Sequence, residues 1–264
     1  MSITTTDNKN AKATSPVTSG SKAVEAKPGF FSFDNLRSLG VLLVVILALR
    51  WSIASPYHVP TASMEPTIKV GDRLLAFKLA YNLKVPFTDV TVGNWGTPKR
   101  GDIIVFKYPR DPDVDYVKRV VAVAGDEIRL VDDILYVNNQ PQQRSDVLSE
   151  RDVLKDIDDQ KDIKLLYKEG LFGLDHYVMQ NIPSARHFNH SNWPAPGMAP
   201  YKVPADSVFC IGDNRDNSTD SRVWGQVPLE YVRGKALFVI WSVYTPREST
   251  LPVFRFDRFG KWLY

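Results

Sequence analysis

What this sequence lacks narrows it first. A single cysteine among 264 residues, Cys210, cannot close a disulfide within the chain, and its apolar setting Val208-Phe209-Cys210-Ile211 marks a buried, inert thiol. There is no Lys/Arg block of the kind that tracks phosphates. With 33 basic against 30 acidic residues the net charge is only +3, which argues against a nucleic-acid partner. Beyond one hydrophobic stretch near the N-terminus, nothing reads as a long amphipathic helix, so a helical bundle is excluded. The Gly-x-Ser-x-Gly elbow of the α/β-hydrolases is also missing. Of the four histidines, His58 lies only five residues from the serine of most interest, and His176, His187 and His190 fall in an irregular segment. The spacing of His187 and His190 would suit a metal on a helix, but they sit among Asn and Pro with no third ligand, so neither a metal nor a cofactor is expected.

The one hydrophobic run is Leu39–Leu49, eleven residues without a polar side chain. Extended from Ser38 to Ala54 it reaches 17 residues, the lower edge of what spans a bilayer as a helix. Arg50 lies where it can snorkel, and Trp51 suits the interface. The same run fits the core of a cleavable signal peptide, because Ser52-Ile53-Ala54 offers small residues at the two positions such a site uses. A permanent anchor is the better reading, since the polar stretch in front is much longer than a signal peptide's n-region. That stretch is poor in large apolar groups and is expected to be a disordered tail. Lys9, Lys12, Lys22, Lys27 and Arg37 precede the run, which favours a cytoplasmic N-terminus and places everything after residue 55 outside.

Past the anchor the pattern changes to short β-like runs at 74–77, 103–108, 116–124, 128–131, 134–137, 207–211 and 236–241. Gly-Asp pairs at 71–72, 101–102, 125–126 and 212–213 punctuate them as turns. From Asn138 to Val203 the regularity fails. The expected fold is therefore mainly β, an antiparallel catalytic domain with an inserted second subdomain, preceded by one transmembrane helix. Its boundaries are a tail over 1–37, the anchor over 38–54, β domain over 55–137 and 204–264, and the insertion over 138–203.

Three stretches can carry chemistry. Ser63 lies between Pro60 and Pro66, which hold it on irregular, exposed backbone. Lys118 and Arg119 lie in a strand that reads as buried on both faces, so one of these two cations must meet apolar surroundings. A serine without histidine can be activated by a neutral lysine, and burial alone can bring a lysine from about 10.4 to roughly 8. The third stretch, Gly212 to Arg222, mixes short polar side chains with opposite charges, as a cross-hydrogen-bonded loop does. It fails as a calcium loop, because counting from Asp216 the sixth position is Ser221 and the twelfth Val227.

Together these stretches resemble the bacterial type I signal peptidases, membrane-bound serine proteases with a Ser-Lys dyad. Ser63-Met64-Glu65-Pro66-Thr67 is similar to that family's nucleophile box, and Gly71-Asp72-Arg73-Leu74-Leu75 with Lys78 to the segment after it. Tyr116-Val117-Lys118-Arg119-Val120 with Gly125-Asp126 resembles the lysine box, and residues 212–222 the Gly-Asp-Asn-Arg-Asp-Asn-Ser-x-Asp-Ser-Arg box. The resemblance implies Ser63 as nucleophile and Lys118 as general base. It implies an oxyanion hole from the Ser63 N–H and the Thr61 hydroxyl, Ser218 orienting Lys118, and an Asp220–Arg222 salt bridge holding the loop. It further implies secreted preproteins as substrates, a lipid bilayer as partner, and a single-pass place in the bacterial inner membrane with the catalytic domain on the periplasmic side. Many relatives carry two spans where this chain shows one, and some carry a disulfide that this chain cannot form.

Two other functions fit the same residues. One is a dedicated pilus- or conjugation-protein processing peptidase on the same dyad; the other is a non-catalytic membrane-tethered binding domain. At the C-terminus Phe254, Phe256, Phe259, Trp262, Leu263 and Tyr264 alternate with Arg255, Arg258 and Lys261, a mixture that suits either the bilayer interface or burial against the core.

Overall fold

The structure, a computed structural model, describes residues 33–85, 88, 90–157, 164–182, 192–246 and 251–264. The expected tail up to residue 32, together with His187 and His190, lies outside the described residues. The chain divides into two compact units, Met1–Leu43 and Val44–Tyr264.

The helix α1 runs Phe33–Ser52, so Phe33 to Arg37, expected in the tail, form its first turn. Extending a helix by a turn adds one hydrogen bond per residue fixed, which an adjacent apolar run readily supports. The helix stops before Ala54, expected as the last residue of the anchor, which instead opens the first strand opposite Phe77. Among the described residues no helix is long and apolar enough to cross a membrane. The uninterrupted run Leu39–Leu49 measures only about 16 Å, at 1.5 Å per residue. Leu39 and each residue from Val41 to Leu47 are exposed, 40% or more, around the whole circumference of the helix.

The remaining elements are almost all strands. They are β1 (Ala54–His58), β2 (Asp72–Phe77), β3 (Asn82–Lys84), β4 (Thr91–Asn94), β5 (Ile103–Tyr108), β6 (Asp111–Val123), β7 (Glu127–Val131), β8 (Ile134–Val137) and β9 (Gln140–Pro141). After them come β10 (Arg144–Asp146), β11 (Lys164–Leu171), β12 (Leu174–Asn181), β13 (Tyr201–Lys202), β14 (Ser207–Ile211), β15 (Val227–Pro228), β16 (Val232–Tyr244) and β17 (Val253–Phe254). One four-residue helix, α2 (Ser221–Trp224), follows the 212–222 loop, capped by the Asp220 carboxylate on the Arg222 N–H.

The main sheet has the order β1-β2-β16-β5-β6-β14-β15, and β17 pairs with β16. All its pairings are antiparallel, the mainly β architecture that the alternating runs imply. All seven expected runs are strands. The segment read as irregular is not shapeless, however: β10, β11 and β12 make a three-stranded sheet within it, with Glu169 opposite His176. Its signal is hidden because charged and polar residues such as Lys164, Glu169 and His176 occupy buried positions, which breaks the apolar alternation.

Strands buried on both faces divide the core. Ile103 packs with Val59, Met64, Ile68, Leu74 and Val239, while its neighbour Ile104 points the other way onto Phe106, Val120 and Cys210. Burying each such side chain stabilises the fold by about 1.5–3 kcal/mol. Met64 and Ile68, both fully buried, therefore pin the segment that carries Ser63.

The C-terminal segment is inverted relative to an ordinary core. Arg255 and Arg258 are buried on Asp72, while Phe254, Phe256, Phe259, Trp262 and Tyr264 are all exposed, up to 72% for Phe256. Leu263 alone of the apolar residues there enters the core.

Candidate active site

Ser63 sits in a single 3-10 turn, Ala62–Met64, closed by the Glu65 N–H on the Ala62 carbonyl at 3.0 Å. The turn is held from both ends. On its C-terminal side the Ile68 N–H donates to the Met64 carbonyl at 2.9 Å. From the 212–222 loop, the Asn214 N–H donates to the Ser63 carbonyl at 3.2 Å, and its side-chain amide to the Ala62 carbonyl at 3.1 Å. Asn214 belongs to the quoted box, but nothing in its residue type announced this task.

Lys118 lies on β6, opposite Ile104 of β5. Its ammonium nitrogen is 2.6 Å from the Ser63 hydroxyl oxygen and 2.9 Å from the Val117 carbonyl, and it lies 5.3 Å from the centre of the Tyr116 ring. The Thr61 hydroxyl is 3.4 Å from that of Ser63.

Both adjacent cations are buried, Lys118 at 3% exposure and Arg119 at 1%. Their surroundings differ. Arg119 makes a two-pronged pair with Asp213 at 2.9 and 2.8 Å and also donates to the Gly101 carbonyl, so its charge is neutralised in place. Among the described residues no carboxylate lies within 4 Å of the Lys118 ammonium, whose pKa falls to about 8. Burial drives that fall; the more distant charges of Asp220 and Asp213 oppose it and Arg222 adds to it.

The loop itself is tied by Arg222, which grips Asp220 through two bonds of 2.8 Å and donates to the Arg215 carbonyl at 2.7 Å. Asp220 also accepts the Gly212 N–H at 3.0 Å and is held below the usual carboxylate range, Arg222 outweighing the burial that would raise it. Gly212 looked like mere punctuation. A side chain there would meet the Ser218 hydroxyl at 2.2 Å and the Ser63 carbonyl at 2.4 Å, so only glycine lets the loop approach the serine. Ser218, expected beside Lys118, is buried near this point, where its hydroxyl adds to the groups that hold the Asp220 carboxylate ionised.

A cleft of about 460 Å³ opens on Ser63 and Lys118, with Val59, Leu74, Val105 and Val117 on its apolar side. Tyr57 and His58 also line it. Burial and the nearby Asp115 raise the Tyr57 hydroxyl to about 12, so it stays protonated, a possible donor at the wall of the cleft. His176 is elsewhere, buried in the β11–β12 hairpin.

A serine hydroxyl in hydrogen-bond contact with a desolvated, unpaired amine is the geometry of an activated nucleophile. Residues 32–241 match the family model described as signal peptidase, peptidase S26. The chain belongs to this family. Signal peptidase I of Pseudomonas fluorescens is 36% identical over 235 residues, covering 85% of this chain and 77% of its own. That of Pseudomonas aeruginosa is 35% identical with the same coverage, and that of Aquifex aeolicus 34% identical over 79% of this chain and 84% of its own. As a member of the signal peptidases the chain is a serine endopeptidase.

Proposed function

We propose that this protein is a membrane-anchored endopeptidase that removes N-terminal signal peptides from secreted precursors with a Ser63–Lys118 dyad. The observation that carries the reading is the 2.6 Å contact between the Ser63 hydroxyl and a buried Lys118 amine with no carboxylate partner. With a pKa of about 8, roughly a fifth of Lys118 is neutral at pH 7.4, against about one part in a thousand for a solvated lysine.

In the first step Ser63 Oγ bonds to the scissile carbonyl carbon while its proton passes to Lys118 Nζ. The carbonyl oxygen becomes an oxyanion, held by the Ser63 N–H and the Thr61 hydroxyl. As the tetrahedral species collapses, the C–N bond breaks and the ammonium of Lys118 returns its proton to the departing amine, leaving an ester on Ser63. Water then attacks that ester, giving its proton to the Lys118 amine, and the second collapse releases the signal peptide while Lys118 returns the proton to Ser63 Oγ.

A substrate strand has a place to bind. β14 pairs with β6 only from Arg119 to Val123, so the stretch from Val114 to Lys118 keeps an edge beyond the end of β14, within the cleft. An extended peptide added there alternates its side chains, and the residues nearest the cut meet the wall of Val59, Leu74, Val105 and Val117. Such a wall suits the small side chains that precede a signal-peptide cut.

For the membrane, α1 presents apolar side chains on every side, and Arg37 with the preceding lysines favours a cytoplasmic N-terminus. The exposed C-terminal aromatics add an interfacial surface to the catalytic side. The test is cleavage of a preprotein in detergent: Ser63→Ala and Lys118→Met should both be inactive, and wild-type-like cleavage by either removes the dyad.

A further inference from the structure

The 212–222 loop does not balance its own charge. It carries Asp213, Arg215, Asp216, Asp220 and Arg222, all buried. Arg222 takes Asp220. Of the other two carboxylates, Asp213 is drawn out of the loop by Arg119 of β6, and Asp216 faces the β12 backbone. Arg215, at 1% exposure, finds its two-pronged partner outside this segment. Its partner comes from the insertion: Glu169 on β11, itself fully buried, accepts two bonds from Arg215, at 3.1 and 2.5 Å. His176, opposite Glu169 in the hairpin, sits between the pairs, 3.5 Å from Glu169 and 3.9 Å from Asp213. Burial and Arg119 lower it to about 4, so it is neutral near pH 7 and adds no charge beside these pairs.

The same hairpin holds the loop through its backbone. The Met179 N–H donates to the Asp213 carbonyl at 2.9 Å, and the Asn181 N–H to the Asp216 carboxylate at 2.9 Å. The loop in turn touches the serine, since Asn214, next to Arg215, donates to the carbonyls of both Ala62 and Ser63. The connection from β11 to the nucleophile is thus continuous, from Glu169 through Arg215 and Asn214 to the Ala62-Ser63 backbone.

We propose that Glu169 is a positioning residue for Ser63, and that the 138–203 insertion works as a brace for the catalytic loop. This rests on the peptidase reading above. The two-pronged Glu169–Arg215 contact is directional, and without it the segment of Arg215 and Asn214 is no longer held in one position, so the Ser63 hydroxyl leaves the line between Lys118 and the scissile carbonyl. A misplacement of about 1 Å can cost on the order of a hundredfold in rate. The apolar wall that receives the substrate, Val59, Leu74, Val105 and Val117, lies on other segments, and the loop adds only Asn217 and Thr219 to the cleft, so KM should change far less than kcat.

The experiment measures kcat and KM for a preprotein in detergent, with wild type, Glu169→Gln and the double variant Glu169→Met/Arg215→Met. Glu169→Gln should lose at least about tenfold in kcat, with KM within about threefold of wild type. The double variant replaces the ion pair by apolar chains of similar length, an exchange that often preserves or improves stability. It should keep a wild-type melting temperature and still show the lowered kcat, which separates positioning from folding even where the single variant does not fold. Wild-type kcat in either folded variant, or a loss confined to KM, overturns the inference. A wild-type protein that leaves the precursor uncut overturns the peptidase reading and this inference together, whereas equal kcat in wild type and Glu169→Gln overturns this inference alone.

Discussion

Replacing Lys118 by methionine should destroy activity and raise stability in the same protein. The amine is buried at 3% exposure, and its pKa drops from 10.5 to about 8, which means that the fold penalises the charged form. The fall from 10.5 to about 8 corresponds to about 3 kcal/mol. The sign follows from proton counting. Between pH 8 and 10.5 the unfolded chain holds a proton on Lys118 that the folded one has released, so stability rises with pH across that window. Below pH 8 both states are protonated, and the full destabilisation of about 3 kcal/mol is present; above 10.5 it is gone. Methionine escapes this penalty but gives up the bonds to Ser63 and Val117, a loss of about 1 kcal/mol each that does not depend on pH. At pH 7 the net gain of Lys118→Met is thus about 1 kcal/mol, or roughly 2–4 °C in melting temperature for a domain of this size. By pH 10.5 the order should reverse. Thermal melts of the two proteins from pH 6 to 10.5 measure the difference, and a difference that stays flat across this range would refute a desolvated amine at position 118.

Four other outcomes follow from the same geometry. The wild-type kcat/KM should rise about tenfold per pH unit well below pH 8 and level off above it, because the base must be neutral to accept the Ser63 proton; a profile flat from pH 6 to 8 contradicts Lys118 as base. Thr61→Val should lower kcat about a hundredfold with little effect on KM, and steady-state kinetics with normal turnover would remove Thr61 from the oxyanion hole. Arg258→Ala should destabilise the domain by about 3–5 kcal/mol in urea unfolding, since it strips the buried Asp72 of a two-pronged partner; a loss under 1 kcal/mol would show that Arg255 and Ser242 suffice. Phe256→Ser, at the most exposed phenylalanine of the C-terminal segment, should weaken binding of the anchorless domain to anionic vesicles without lowering its melting temperature, and unchanged binding removes the membrane role of that surface. A substitution is the cleaner probe there, because truncating the last four residues also takes Leu263 out of the core.

The β domain was legible wherever burial and alternation coincide, as at Ile103–Tyr108 and Ser207–Ile211. It was illegible where buried positions are polar. The β11–β12 hairpin escaped notice because Glu169, His176, Gln180 and Asn181 occupy inward places that period-counting reserves for apolar residues. The C-terminal segment shows the opposite effect. Its alternation was visible, but the sign of the alternation was not, since two arginines reach inward to the carboxylate of Asp72, from a turn nearly two hundred residues earlier. Long-range ion pairs of this kind leave no periodic trace. The same holds for the site: Ser63, Lys118 and the 212–222 loop stood out by residue type, whereas the supports Asn214, Glu169 and Gly212 are ordinary residues whose tasks come from what lies opposite them.

The neighbouring cations Lys118 and Arg119 show why a strand buried on both faces is a suitable place to make a base. The pleat sends them to opposite sides, so one can be satisfied without satisfying the other. Arg119 must remain charged, because a guanidinium does not deprotonate in a protein, and it is given a two-pronged carboxylate and a carbonyl. Had Asp213 or Asp220 been within contact of Lys118 instead, the ammonium would be stabilised, its pKa would stay near the solvated value, and the Ser63 hydroxyl would face a proton donor. The two carboxylates are occupied by arginines, which leaves Lys118 only a hydroxyl and a carbonyl. Those neighbours can orient the amine but cannot hold its charge. On the proposed dyad the arginine pairs thus serve the chemistry without touching it: by occupying the nearby negative charge, they leave the Lys118 ammonium acidic enough to lose its proton near neutral pH.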